Sequence, residues 1–176
     1  MANFRLRSVQ LDLARQKETP EFIRNFISFA AESNYNAVLL YLGGRVRTTN
    51  FPYPLAKDSY SAGEMREIVE YASGKNIDII PATQTLAHAE HFLSFPELQP
   101  LSELRATNLQ GRWDTPARYH DTFCPSSQKT RQFLEDYLGE LTAIFPSLFM
   151  HVGLDEAWHI GICSLCQKHP GGQAGI

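Results

Sequence analysis

Three cysteines in 176 residues are too few, and odd in number, for a disulfide-stapled secreted scaffold. Long apolar runs are missing too: no stretch approaches the roughly 18 consecutive apolar residues of a membrane span. Neither charge is in excess, with 16 Lys and Arg against 19 Asp and Glu and a formal charge of −3. Without a basic run, nucleic acid and an anionic membrane are both excluded as expected partners. No G-x-G-x-x-G or G-x-x-x-x-G-K-[ST] follows a strand-like segment, so nucleotide binding is disfavoured and no cofactor is implied. The first residues, MANFRLRSVQLDLA, carry no apolar signal core or cleavage site. Export is not indicated, and a reducing cytoplasmic compartment is the expectation. What remains is 43% hydrophobic and 20% charged, with a mean hydropathy of −0.27. That is an ordinary globular composition with enough apolar residues for a real core.

Punctuation along the chain alternates between strand and helix signals. Arg7 to Leu13 alternates with period two, placing Val9, Leu11 and Leu13 on one face. Thr19 followed by Pro20 reads as an N-cap and a first-turn proline, and Phe22, Phe26, Phe29 and Ala30 follow at helical spacing. Ala37 to Leu42 is a continuous apolar run of the kind buried on both faces of a sheet. Ser61 and Glu64 make a capping-box pair, with Met65, Ile68, Val69 and Ala72 as the helix stripe up to Gly74. Ile77 to Ile80 is a third strand core, halted by Pro81. Phe133, Tyr137, Leu141 and Ile144 mark a long helix ending before Pro146, and Ser147 to Leu154 reads as a fourth strand. The pattern predicts an α/β fold with parallel strands in the order 1-2-3-4, read as one unit over residues 1–176. Long connections follow the second strand (43–60) and the third (about 85–126), where parallel α/β proteins build their sites.

The densest polar group is His151-Val152-Gly153-Leu154-Asp155-Glu156, at the predicted end of the fourth strand. On a regular strand the side chains of Asp155 and Glu156 point to opposite faces, so the chain must bend to bring both into one pocket. Packed carboxylates push their proton affinities apart, which gives a site an acid and an anion at one pH. The alternative reading is a solvated acidic pair opening a loop.

HVGLDE resembles the H-x-G-[GA]-D-E signature of glycoside hydrolase family 20, the β-N-acetylhexosaminidases. Arg7 to Arg15 is similar to that family's R-G-x-x-L-D-x-x-R first strand, and Ile79-Ile80-Pro81 with Gln84 to Glu90 resembles its third strand and the loop after it. Phe123-Cys124-Pro125 and Phe145-Pro146-Ser147 resemble the segments flanking the helix before the acidic motif. The likeness extends over roughly residues 5 to 162 and leans toward the hexosaminidase-D-like branch. Leu154, Ala87 and the loop Gly43-Gly44-Arg45-Val46-Arg47 depart from the family pattern.

The resemblance implies a (β/α)8 TIM barrel, of which this chain covers roughly the first four β/α units; a truncated piece of a longer enzyme is the expectation. It implies hydrolysis of terminal β-linked N-acetylglucosamine or N-acetylgalactosamine, with an amino-sugar glycoside as substrate and the substrate's own acetamide as nucleophile. Glu156 would be the general acid and then base, and Asp155 would orient the acetamide and stabilise charge. Arg15 would hold ring hydroxyls, with His88 and His151 as supporting pocket groups and Trp158 as a sugar-stacking wall. A non-catalytic fragment or sugar-binding remnant, or another barrel hydrolase with a similar acid pair, stay open as rivals. Phe92, Phe95, Trp113 and Tyr119 are further aromatic candidates. His159, Cys163, Cys166 and His169 form an H-x3-C-x2-C-x2-H cluster with zinc-ligand residue types. Its second half is short for convergence, so the expectation is no bound metal.

Overall fold

A computed structural model describes residues 4–105 and 121–168. These residues fall into two compact units, one of 4–83 and 137–151, the other of 84–105, 121–136 and 152–168.

The first unit is built on parallel strands β1 (Ser8–Asp12), β2 (Ala37–Tyr41) and β5 (Asp78–Ala82), in the order β1-β2-β5. Ser8 pairs with Ala37 and Asp12 with Tyr41; Ala37 pairs in turn with Asp78 and Tyr41 with Ala82. His151 then bridges Ala82 in parallel, through Thr83 N–H to His151 O at 2.9 Å and His151 N–H to Pro81 O at 2.9 Å. The neighbour order is therefore the expected one, but the fourth segment is a single bridge rather than a strand over Ser147 to Leu154. Leu148 and Phe149 lie exposed, so they lack the cover that holds β2 flat.

Pro81 does not halt the third strand, which runs through it to Ala82. Residues of a parallel strand face alternate neighbours: Ala82 O accepts from Leu42 N–H, while Pro81 faces His151. The donorless proline nitrogen thus points to the edge, where a missing ladder bond does least harm.

Helix α1 (Pro20–Glu32) starts as read, with Phe22 N–H donating to Thr19 Oγ1 at 3.1 Å. Its buried stripe, however, is Ile23, Ile27 and Ala30, with Phe22 and Phe29 exposed. The stripe is shifted by one residue from the phenylalanine series; each fully buried isoleucine contributes about 1.5–3 kcal/mol. Helix α2 (Ala62–Ser73) carries the full capping box and buries Met65, Ile68 and Ala72. The connection after β2 holds two short parallel strands, β3 (Val46–Arg47) and β4 (Tyr60–Ser61). Arg45 stitches it down, donating to Ala14 O at 3.0 Å and Asp58 O at 2.9 Å. Gly43 has φ +50, and a Cβ there would stand 2.2 Å from that of Ala14; only glycine allows the crossing.

The described residues of the second unit hold little regular structure. They include the short helix α3 (Glu90–Leu93), a 3-10 turn at Gln99–Leu101 and an antiparallel bridge from Ser102 to Phe123. Helix α4 (Gln128–Thr142) begins in this unit and ends in the first. Phe92, Phe123 and Phe133 pack their rings with centroids 5.9–6.0 Å apart. No helix among the described residues is long and apolar enough to cross a membrane.

Candidate active site

Beyond His151 the chain leaves the sheet, and two bonds from Thr85 hold it. Thr85 Oγ1 donates to Val152 O at 2.6 Å, and Thr85 N–H to Gly153 O at 3.4 Å. Gly153 then takes φ 48 and Glu156 φ 52, both left-handed. Trp158 N–H closes the turn on Glu156 O at 2.8 Å. This is the bend that period-two geometry required. It brings both carboxylates to one imidazole: His88 Nε2 lies 3.1 Å from Glu156 Oε2 and 3.6 Å from Asp155 Oδ2.

His88 is itself left-handed, at φ 51. The other described non-glycine residues with positive φ are Asn34 and Asn76, a residue type that tolerates it. His88 and Glu156 meet at the carboxylate pair; a glutamate is the less tolerant of the two types, and such backbone persists only where surrounding contacts hold it. Here the segment Asp121–Phe123 does so, with Ala89 N–H on Asp121 O at 2.9 Å and Phe123 N–H on Leu86 O at 2.7 Å. His88, Asp155 and Glu156 are one-third to two-thirds exposed, open to a ligand. A carboxylate pair sharing an imidazole can pass a proton to a leaving oxygen and stabilise a positive centre beside it.

Arg15 is exposed in the first unit and pairs with Asp12, whose carboxylate also accepts from Ala14 N–H at 2.8 Å. The D-x-x-R spacing thus makes the turn that follows β1. His151 joins the sheet through its backbone and exposes its side chain. Trp158 is partly exposed, two residues past Glu156. Phe92 is fully buried in the phenylalanine cluster, so it serves the core rather than a sugar face. Phe95 stands edge-on to His91. Trp113 and Tyr119 lie outside the described residues.

The cysteine and histidine cluster assembles differently from its spacing. His159 is buried with Nδ1 2.5 Å from Asp121 Oδ1, and His169 lies outside the described residues. Cys163 and Cys166 instead meet Cys124 and Glu103, all four buried. Cys124 Sγ is 3.5 Å from each of the other two sulfurs, and Cys166 Sγ donates to Glu103 Oε1 at 2.7 Å. Burial, joined by the Glu103 contact, pushes the Cys166 thiol up to about 12. Cys124 is raised mainly by burial. In the sequence Cys124 lies inside a family-like segment, far from the C-x2-C pair, and Glu103 carries no signal at all.

The family model for the glycosyl hydrolase family 20 catalytic domain matches residues 4–169. A beta-hexosaminidase of Porphyromonas gingivalis is 31% identical over 114 residues, covering 62% of this chain and 14% of that protein. Hexosaminidase D of Bos taurus is 27% identical over 107 residues, covering 60% of this chain and 28% of that protein. The crystal structure of a beta-N-acetylhexosaminidase from Bacteroides fragilis superposes with a TM-score of 0.76 at 25% identity, covering 92% of this chain and 34% of that one. The chain thus spans about a third or less of the relatives it matches, and its α/β fold is that of a TIM-barrel catalytic domain. Matched over nearly all its length, the chain belongs to glycosyl hydrolase family 20.

Proposed function

We propose that residues 1–176 are a partial family 20 catalytic domain, roughly its first four β/α units. The complete protein would then hydrolyse terminal non-reducing β-linked N-acetylhexosamine by substrate-assisted, retaining catalysis. The observation that carries this reading is the convergence of Asp155 and Glu156 on His88, in a chain matched by the family over residues 4–169. Glu156 protonates the departing glycosidic oxygen while the substrate's acetamide oxygen attacks the anomeric carbon. Asp155 accepts from the acetamide N–H and stabilises the charge that develops on the ring so formed. Water then opens that ring, with Glu156 taking its proton. His88 holds the two carboxylates apart and aligned. Arg15 grips ring hydroxyls through its fork of donors, while His151 and Trp158 line the sugar.

The exposed apolar side chains Leu148, Phe149, Val152 and Leu154 support partial coverage of a barrel, since a closed barrel covers such positions. They also favour little or no turnover by the isolated chain. Three unpaired thiols suit a reducing, cytoplasmic location.

The test is substrate choice by the complete protein. A nitrophenyl 2-acetamido-2-deoxy-β-glucoside should be cleaved, with the β-anomer released first, while the matching β-glucoside without the acetamide should resist. Comparable cleavage of both, or a sugar ester trapped on a carboxylate, would contradict the reading.

A further inference from the structure

The geometry points to a structural zinc site formed by Glu103, Cys124, Cys163 and Cys166, separate from the Asp155–Glu156 pair and independent of the function proposed above. The four candidate ligand atoms lie within 4.8 Å of one another, and every one of these residues is buried. A tetrahedral zinc with Zn–S bonds of about 2.3 Å sets its sulfurs about 3.8 Å apart. Cys124 Sγ lies 3.5 Å from Cys163 Sγ and 3.5 Å from Cys166 Sγ, close to that spacing. The Glu103 carboxylate, fully buried, completes the set; moving from its 2.7 Å contact with Cys166 Sγ into a zinc bond needs a shift of under about 1 Å.

The groups around Cys163 Sγ are arranged for thiolate rather than thiol. Arg105 Nη2 donates to Cys163 Sγ at 3.0 Å, and Cys166 N–H points at the same sulfur at 3.4 Å. A neutral thiol is a poor acceptor, so a guanidinium and an amide aimed at one sulfur fit an anion. Cys163 N–H donates to Glu103 Oε2 at 2.9 Å, which orients the carboxylate and leaves Oε1 toward the sulfurs. A buried carboxylate among three sulfurs is unfavourable without a cation. A divalent ion resolves this: it displaces the three thiol protons to solvent and binds three thiolates and one carboxylate, while Arg105 offsets part of the remaining negative charge.

Other uses of the cluster fit less well. A disulfide needs sulfurs about 2.05 Å apart and would leave a third thiol and the carboxylate buried without it. Sulfurs this close leave no room for a multi-iron cluster between them. Four protein ligands and full burial leave no open position for substrate, which marks the site as structural. Its role follows from its connections. It ties the turn at Ser102–Arg105, the segment Thr122–Ser126 and the chain just after Glu156, where the described residues offer little regular structure to fix them.

The complete protein, purified without chelator and exposed to zinc before gel filtration, should hold about one zinc per chain by elemental analysis. Cys124→Ser and Glu103→Ala should bring that content near zero. Arg105→Gln keeps every ligand and should weaken zinc about tenfold to a hundredfold. Should the ligand variants fail to fold, cobalt substitution of the unaltered protein decides: thiolate-to-cobalt charge-transfer absorption is expected, together with thiols that react only after chelation. Absence of stoichiometric metal, an intact mass showing a disulfide, or unchanged zinc affinity in Cys124→Ser would each overturn the proposal.

Discussion

The two units solve the same problem, fixing a backbone, by different means. In the unit that carries β1, β2 and β5, a parallel ladder satisfies the main chain and apolar side chains fill the space over it: Ile23, Ile27, Met65 and Ile68 are all fully buried. Polar groups there serve ends and corners, as the Ser61–Glu64 cap and Arg45 do. In the other unit the described ladder shrinks to one bridge, and polar or sulfur side chains replace it: Thr85, Asp121, Glu103 and the three cysteines hold the segments. Left-handed His88 and Glu156 occur in this unit, beside the carboxylates. Repetition can be stabilised by burial alone. Irregular backbone needs directional bonds, and the groups that make those bonds are also the ones able to move protons or hold a cation.

That contrast can be broken from the sheet side. Ile27→Ala removes a fully buried side chain from α1 and should lower the stability of the complete protein by about 3 kcal/mol, read as a shift of the urea midpoint. The rate constant of the folded fraction should stay unchanged, and a parallel loss in kcat would show that the contrast is false. Ser61→Ala deletes one arm of the cap on α2 and should cost about 1 kcal/mol. Glu64→Gln sharpens the point with the smallest effect. The Ser61 backbone N–H, opposed by burial and helped by the Ser61 hydroxyl, holds the Glu64 carboxyl below its ordinary range. Its folded value therefore lies under its unfolded one, so its contribution is present at neutral pH and disappears as pH falls through the folded value. The variant should be less stable than the parent at pH 7 and indistinguishable near pH 2; a gap that persists in acid would refute the charge argument.

Legibility in the sequence follows the same divide. The first two strand cores, the Thr19 N-cap and the Ser61–Glu64 box rest on local rules, and they stand where periodicity and capping chemistry put them. Helix α1 shows the limit of periodicity. Phe22, Phe26 and Phe29 and the series Ile23, Ile27 and Ala30 both fit helical spacing, and only the packed surface selects the narrower side chains. The fourth strand shrinks to the bridge at His151 because alternation predicts a strand only where its apolar side chains find cover, and Leu148 and Phe149 find none. The bend at Asp155–Glu156 was readable as a requirement of chemistry, but its cause, φ 52 at a glutamate, was not. The thiol cluster was half visible. C-x2-C marked Cys163 and Cys166, yet their partners come from positions 103 and 124, a long-range closure that no spacing rule reaches.

The central claim, that Glu156 is the proton donor and Asp155 the partner of an acetamide nucleophile, meets its most direct test in leaving-group dependence. In the complete protein, Glu156→Gln and Asp155→Asn are assayed on a nitrophenyl N-acetyl-β-glucosaminide and on a natural disaccharide. A nitrophenolate leaves with little protonation, so Glu156→Gln should lose far less first-step rate on it than on the disaccharide. Asp155→Asn should slow both substrates alike, by about 10²-fold or more, because the nucleophile's orientation and charge stabilisation serve either leaving group. Equal losses for Glu156→Gln on the two substrates would contradict the account.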